Sequence, residues 1–313
     1  MFLFLYAGRS DDMYANYFNF SEMPFSLLPD CAFLYPSRKH EKVINMLDYG
    51  LASQTGFVVI TGEVGAGKTT LLRTLVKKDH PSLILGMITN PSPSFGSLMK
   101  WVVHAFDIKT TAQDTPALYD AFVTFLIQRY GQGKRAVLII DEAQNMKADM
   151  LEELRMLSNV NNEKDQLLQI IMVGQPELLE TLKGDNLRQF VQRIGVHCHL
   201  DPLSPAETAA YIRHRLHHVG GREDLFDNEA LAAVYHLTFG IPRLINLLCD
   251  LALVYAFSED ATKIDLKTVM EAVKDRASSG LSAFRALPEH ASLYSLSLEI
   301  KPHLVEMARR ETI

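Results

Sequence analysis

The ten residues Thr61-Gly62-Glu63-Val64-Gly65-Ala66-Gly67-Lys68-Thr69-Thr70 decide how the rest of the chain is read, because they contain the spacing GxxxxGK[ST]. Before them, Phe57-Val58-Val59-Ile60 is a short apolar, β-branched run suited to a buried parallel strand. After them, Leu71-Leu72-Arg73-Thr74-Leu75-Val76-Lys77-Lys78 carries its apolar residues at helical spacing. A strand, a glycine loop and a helix N-terminus in that order form an anion site. The glycines let the backbone close round phosphate oxygens, and the free N–H groups of the first helical turn point at them. Gly62, Glu63, Val64, Gly65, Ala66, Gly67, Lys68, Thr69 and Thr70 are therefore the expected nucleotide-binding loop, with Lys68 reaching the β- and γ-phosphates and the Thr69 hydroxyl holding Mg²⁺.

A second anchor lies downstream. Ala136-Val137-Leu138-Ile139-Ile140 is a fully apolar strand that ends in Asp141-Glu142. A carboxylate at the tip of a buried strand beside a phosphate loop suits a metal ion, and the next carboxylate can orient and deprotonate an attacking water. Asp141 is read as the metal residue and Glu142 as the catalytic one. Leu168 to Val173 is another buried strand, ending at Gly174-Gln175-Pro176, which makes Gln175 a candidate γ-phosphate sensor. Val196-His197-Cys198-His199-Leu200 alternates, and without further ligands at suitable spacing it reads as an edge strand and not a zinc site.

The composition is that of an ordinary globular chain: 313 residues, 48% hydrophobic and 22% charged. A formal net charge of −6 argues against a broad nucleic-acid-coating surface. Cys31, Cys198 and Cys249 lie far apart and leave one unpaired in any disulfide scheme, so a reducing compartment is the simpler reading. The apolar start at Met1 to Ala7 is too short to span a bilayer, and Asn246 and Asp250 interrupt Leu244 to Phe257; no membrane span is expected.

The strands alternate with helices as far as Leu200, which predicts an α/β domain with a mostly parallel sheet sandwiched by helices and its ligand at the strands' carboxyl ends. Helices are predicted over Ser37 to Leu51, Ser94 to Phe106 and from Asp114-Thr115-Pro116 to Gly131, the last with Leu118, Ala121, Phe122, Phe125 and Leu126 as one buried stripe. Beyond Leu200 strand signals stop. Ser204-Pro205-Ala206-Glu207 is a capping box, and helices near 227–239, 242–257 and 265–277 follow. The expected organisation is an extension and aromatic, proline-rich wrapping segment over 1–36, a core over 37–203, a small all-α lid over 204–278 and a weakly patterned tail over 279–313. Residues 1–12 differ in texture from the rest, making Met13 a candidate natural start. The rings of Tyr17, Phe18, Phe20, Phe25, Phe33 and Tyr35 are expected to wrap the core and help wall the adenine pocket.

These residues resemble a family, the AAA+ ATPases of the ExeA/GspA type, which include MshM-like pilus ATPases and exosortase-associated ATPases. The resemblance runs from Met13 to about Ala277. Besides the phosphate loop it rests on Pro24-Phe25-Ser26, Pro29-Asp30, Phe33-Leu34-Tyr35 with His40, Asp141-Glu142-Ala143-Gln144 and Leu154-Arg155-Met156-Leu157-Ser158-Asn159. It continues in Gly174-Gln175-Pro176-Glu177-Leu178, Gln192-Arg193-Ile194, Tyr211-Ile212-Arg213-His214-Arg215-Leu216 and Gly240-Ile241-Pro242-Arg243. It implies a P-loop NTPase (AAA+) fold, an ATP hydrolase using ATP and Mg²⁺, and a homo-oligomer whose site a neighbour completes. Arg193 stands where the family has its arginine finger, with Arg188 as the alternative, and Arg243 stands where the lid arginine contacts nucleotide. The implied role is a motor or switch for a secretion, pilus or surface-polymer assembly system, with a protein partner in the envelope. The implied place is cytoplasmic, with peripheral attachment to the inner membrane as a further option. Secretion-system relatives carry a membrane span and a peptidoglycan-binding domain that this sequence does not show, so cell-wall binding is not carried over. A second reading is an ATP-dependent DNA-binding protein of the transposition-target or replication-loader type, for which Arg213, His214, Arg215, His217 and His218 would supply a basic stripe.

Overall fold

The structure is a computed structural model that describes residues 14–28, 30–78, 80–92, 96–160, 166–280, 282–288 and 290–310. Met13 with everything before it, Pro29, and the predicted helix start at Ser94 lie outside the described residues. The chain divides into a sheet unit, residues 38–64 and 68–201, and a helical unit that gathers residues before 38, the loop residues 65–67 and residues from 202 on.

In the sheet unit five strands pair in parallel: β1 (Phe57–Gly62), β2 (Leu83–Ile88), β3 (Arg135–Ile140), β4 (Leu168–Gly174) and β5 (Ile194–Leu200). Their order is β2-β3-β4-β1-β5. Every residue of β1 and β4, and all of β3 but Arg135, is buried, as expected of central strands covered on both faces. The edge strand β5 alternates as its sequence predicts, with Val196, Cys198 and Leu200 inward and His197 and His199 outward. Helices α1 (Arg38–Ala52), α2 (Lys68–Lys77), α3 (Leu98–Ala105), α4 (Thr115–Gly131), α5 (Ala148–Leu157), α6 (Glu177–Leu182) and α7 (Arg188–Val191) complete the unit. The start signal read at Asp114 is real: its carboxylate accepts the Ala117 N–H at 2.9 Å, with proline in the first turn.

The helical unit contains α8 (Pro205–His218), α9 (Asn228–Thr238), α10 (Pro242–Ser258), α11 (Leu266–Ser278) and α12 (Leu293–Arg310). The capping box is complete: Ser204 Oγ accepts the Glu207 N–H at 3.3 Å while Glu207 Oε2 accepts the Ser204 N–H at 2.9 Å.

Two features depart from expectation. Residues 293–310 are not a weakly patterned tail but a helix whose Leu296, Ile300 and Met307 are buried in the same cluster as α8 and α9. Its sequence hides this because Pro302 reads as a breaker in the middle of the run. The aromatic segment joins the helical unit, where Tyr14, Phe20, Phe25 and Phe33 share a core with Ile212, Leu216, Leu231 and Leu248. Arg215 is the reason. Although 5% exposed, its guanidinium donates to Pro24 O at 2.5 Å and to the Tyr211 hydroxyl at 2.8 Å, and lies 4.5 Å from the centre of the Phe33 ring. A buried cation requires such partners, and the segment supplies two of them. Tyr14 adds a short hydrogen bond to Asp250 of α10.

Arg215→Ala is therefore expected to destabilise the helical unit by about 2–3 kcal/mol, the range for a hydrogen bond to a charged group left half unmade. Urea unfolding measures the loss. Chymotryptic cleavage among the aromatic residues 17–35 should accelerate below the unfolding midpoint; unchanged cleavage and stability would show that the segment is anchored elsewhere.

Candidate nucleotide site

The glycine loop follows directly from the end of β1. Gly65 and Gly67 have φ of +81° and +99°, values at which a side chain is strained, so glycine is required for the chain to turn back round an anion. Lys68 opens α2, and its side chain curls under the loop: Nζ donates to Gly62 O at 2.7 Å and to Glu63 O at 2.9 Å. Lys68 is 7% exposed, and burial pushes its pKa below the ordinary lysine value against the pull of Glu142, Asp141 and Glu63.

β4 pairs with β1 on one side and β3 on the other, so the tips of all three stand together. At the tip of β3, Asp141 is 4% exposed; its Oδ2 accepts the Thr69 hydroxyl at 3.0 Å and its Oδ1 the Glu142 N–H at 3.0 Å. Burial raises its pKa, an effect those two hydrogen bonds oppose. Glu142 then sits at φ +55°, a conformation a non-glycine residue adopts only when its surroundings hold it there. Its Oε2 accepts Nε2 of Gln144 at 2.6 Å and Nε2 of Gln175 at 3.4 Å. Lys68, Thr69, Asp141, Glu142 and Gln175, singled out by sequence, thus meet at one end of the sheet. Gln144 joins them; in the sequence it stood only as the last residue of the Asp141-Glu142-Ala143-Gln144 motif, with no role assigned.

Of the remaining candidates, Arg193 and Arg188 lie elsewhere, whereas Arg243 meets the loop. Arg193 precedes β5, whose Ile194 pairs with Phe57 at the start of β1. A six-residue strand is about 20 Å long, which puts Arg193 at the opposite end of the sheet from Lys68. Its Nη1 donates to Ser158 Oγ at 2.8 Å and to Arg155 O at 3.4 Å, at the end of α5. With Gly56, Ser158 and Gln166 it lines a cavity of about 280 Å³. Arg188 is exposed at the start of α7 and pairs with Asp185 at 2.7 Å. Arg243 is the second residue of α10, exposed, with its N–H donating to Gly65 O at 3.2 Å.

The basic stripe read on α8 is broken at Arg215, while Arg213 and His214 are half-buried and His217 and His218 stay exposed. Arg215 is buried, His214 packs against the Tyr35 ring at 5.6 Å and His218 against Phe33 at 4.4 Å. Among the described residues no helix is long and apolar enough to cross a membrane.

Residues 51–182, from the end of α1 to the end of α6, match the family model described as an AAA domain. The chain is 40% identical over 253 residues to general secretion pathway protein A of Aeromonas hydrophila, which covers 80% of this chain and 46% of that protein. It is 30% identical over 185 residues to an uncharacterized HTH-type transcriptional regulator of Methanocaldococcus jannaschii, covering 58% of this chain and 43% of the other. The chain therefore spans less than half the length of these relatives. Among solved structures, Cdc6p of Pyrobaculum aerophilum is similar with a TM-score of 0.58 and 17% identity, over 79% of this chain and 71% of that one. The ORC2 protein of Aeropyrum pernix in ADPNP and ADP complexes gives a TM-score of 0.55 and 15% identity, over 83% of this chain and 73% of its own. At such identities the likeness is one of fold, and it agrees with the parallel sheet and helical C-terminal region seen here.

Lys68→Ala is expected to weaken nucleotide binding on the order of 100-fold, since it removes the charged donor from the loop. Titration with a fluorescent nucleotide measures this, and unchanged affinity would remove the phosphate-loop reading.

Proposed function

From the premise that the chain belongs to the AAA+ ATPases of the general secretion pathway protein A type, we propose that it hydrolyses ATP with Mg²⁺ in a homo-oligomer. Its role in this reading is that of a motor or switch for a secretion, pilus or surface-polymer assembly system. The supporting observation is the meeting of Lys68, Thr69, Asp141 and Glu142 at the tips of β1 and β3. Thr69 Oγ1 and Asp141 Oδ2, 3.0 Å apart, are oxygen donors of the kind that suits a small hard cation which keeps several waters. These two oxygens would hold Mg²⁺, which would supply neutralisation of charge on the β- and γ-phosphates.

The chain's own residues do the rest. Lys68 exchanges the carbonyls of Gly62 and Glu63 for phosphate oxygens; an ammonium already stripped of water gains more from a phosphate than a solvated one does. The loop N–H groups of Gly62 to Thr70 cradle the same phosphates. Glu142 orients the attacking water and takes its proton, and Gln175 reports on the γ-phosphate from the tip of β4. Arg193, too far from this chain's own Lys68, serves a neighbouring protomer; a guanidinium placed against spreading phosphoryl charge is worth on the order of 10³–10⁵ in rate. Reaching out requires it to leave Ser158, whereas Arg188 is already exposed and is the alternative finger. Arg243 contacts the nucleotide in cis. We place the protein in the cytoplasm or peripherally at the inner membrane, with a protein partner of an envelope assembly system. The DNA-binding alternative loses one cation of its basic stripe with the burial of Arg215.

The deciding measurement is ATPase rate against protein concentration, with and without duplex DNA at two salt concentrations. Specific activity should rise with concentration and ignore DNA; stimulation by DNA that fades with salt would overturn the assembly reading. Arg193→Ala should bind ATP normally yet be inactive, and mixing it with Lys68→Ala protein should restore turnover, since one variant supplies an intact loop and the other an intact finger. No recovery in mixtures would remove Arg193 as the residue acting across the interface.

A further inference from the structure

We propose that Gln144 is a positioning residue for hydrolysis: its side-chain amide clamps the Glu142 carboxylate to the tip of β4. The inference rests on the reading of Glu142 as the group that orients water. Gln144 lies in the single 3₁₀ turn, Ala143–Asn145, that follows the acidic pair. Its amide is used in two directions. Oε1 accepts the backbone N–H of Gln175 at 3.0 Å, and Nε2 donates to Glu142 Oε2 at 2.6 Å. The first bond decides the orientation of the second, because a backbone N–H is only a donor and so must face the amide oxygen. The NH₂ group is thereby left facing the carboxylate, where a charge-assisted bond is the strongest it can make.

Three further observations belong to the same device. Gly174, the last residue of β4, lies so close that a Cβ there would stand 3.0 Å from Gln144 Oε1; the glycine leaves room for the amide to reach the strand. Gln175 Nε2 approaches the same oxygen of Glu142 at 3.4 Å, so Glu142 and the sensor candidate share one acceptor. Glu142 itself stands at φ +55°, which needs support from more than its own N–H bond to Asp141. Without Gln144 the carboxylate keeps its backbone position but regains freedom about its side-chain torsions, and the link between the tip of β4 and the catalytic group is cut. A base placed loosely loses rate without any loss of substrate affinity.

The test combines Gln144→Ala, Gln144→Glu and Glu142→Gln in the full chain, with kcat measured at saturating ATP, nucleotide Kd by fluorescent-nucleotide titration and thermal midpoint by circular dichroism. Gln144→Ala should lower kcat roughly tenfold or more while Kd stays within about threefold, as for other partners that orient a functional group. Gln144→Glu keeps the length, loses the donor and sets like charges face to face, so its loss should be greater. In a Glu142→Gln background, adding Gln144→Ala should change the residual rate little, because two residues acting through one group are not additive. Wild-type kcat or faster turnover in Gln144→Ala, or a full additional loss in the double variant, would overturn the proposal. Wild-type kcat in Glu142→Gln alone would instead sink the reading of Glu142, a separate failure.

Discussion

A phosphate loop has no chemistry without a carboxylate beside it, and here that proximity depends on β4. It hydrogen-bonds to β1 along one edge and to β3 along the other, so the loop strand and the acidic strand are held about two strand spacings apart, roughly 10 Å. Thr69, at the second position of α2, spans the remaining gap with its bond to Asp141. A strand order of β2-β3-β4-β1-β5 places residues far apart in the chain at one crevice, the position where open parallel sheets bind ligands.

The crevice is held by groups that burial has made costly. Lys68 and Asp141 are nearly out of water, and each is shifted toward its neutral form. Both are satisfied by short polar contacts, Lys68 by two loop carbonyls and Asp141 by a hydroxyl and an N–H. In the proposed reading those contacts are the ones a nucleotide with its cation would replace. The Glu142, Gln144 and Gln175 cluster extends the same logic one layer outward, using neutral amides to hold a charged side chain at a strained backbone position.

The helical unit is built on a different solution to the same problem of a buried charge. Arg215 faces inward from α8, and the carbonyl of Pro24 and the ring of Phe33 come to it from a segment nearly two hundred residues away. The aromatic residues before α1 are thus part of the helical core. α12 closes that core from the other end of the chain, where His236 of α9 meets Glu299 at 2.9 Å and approaches His303 at 3.3 Å.

The local alphabet of this protein was legible in its amino acids. Strand runs such as Ala136 to Ile140, the Asp114 start signal, the Ser204 capping box, the glycine loop and the acidic pair each rest on interactions between near neighbours, so the sequence alone determined them and with them the α/β class. Tertiary structure decided what depends on distant partners: that Arg215 turns inward and breaks the basic stripe, that residues 293–310 form a helix despite Pro302, that Arg193 stands at the far end of the sheet from Lys68, and that Gln144 reaches both Glu142 and the Gln175 backbone. In each of these a charged, polar or apolar side chain finds a complement distant in sequence, and where that complement lies is set by the packing of the whole unit and not by the residues on either side.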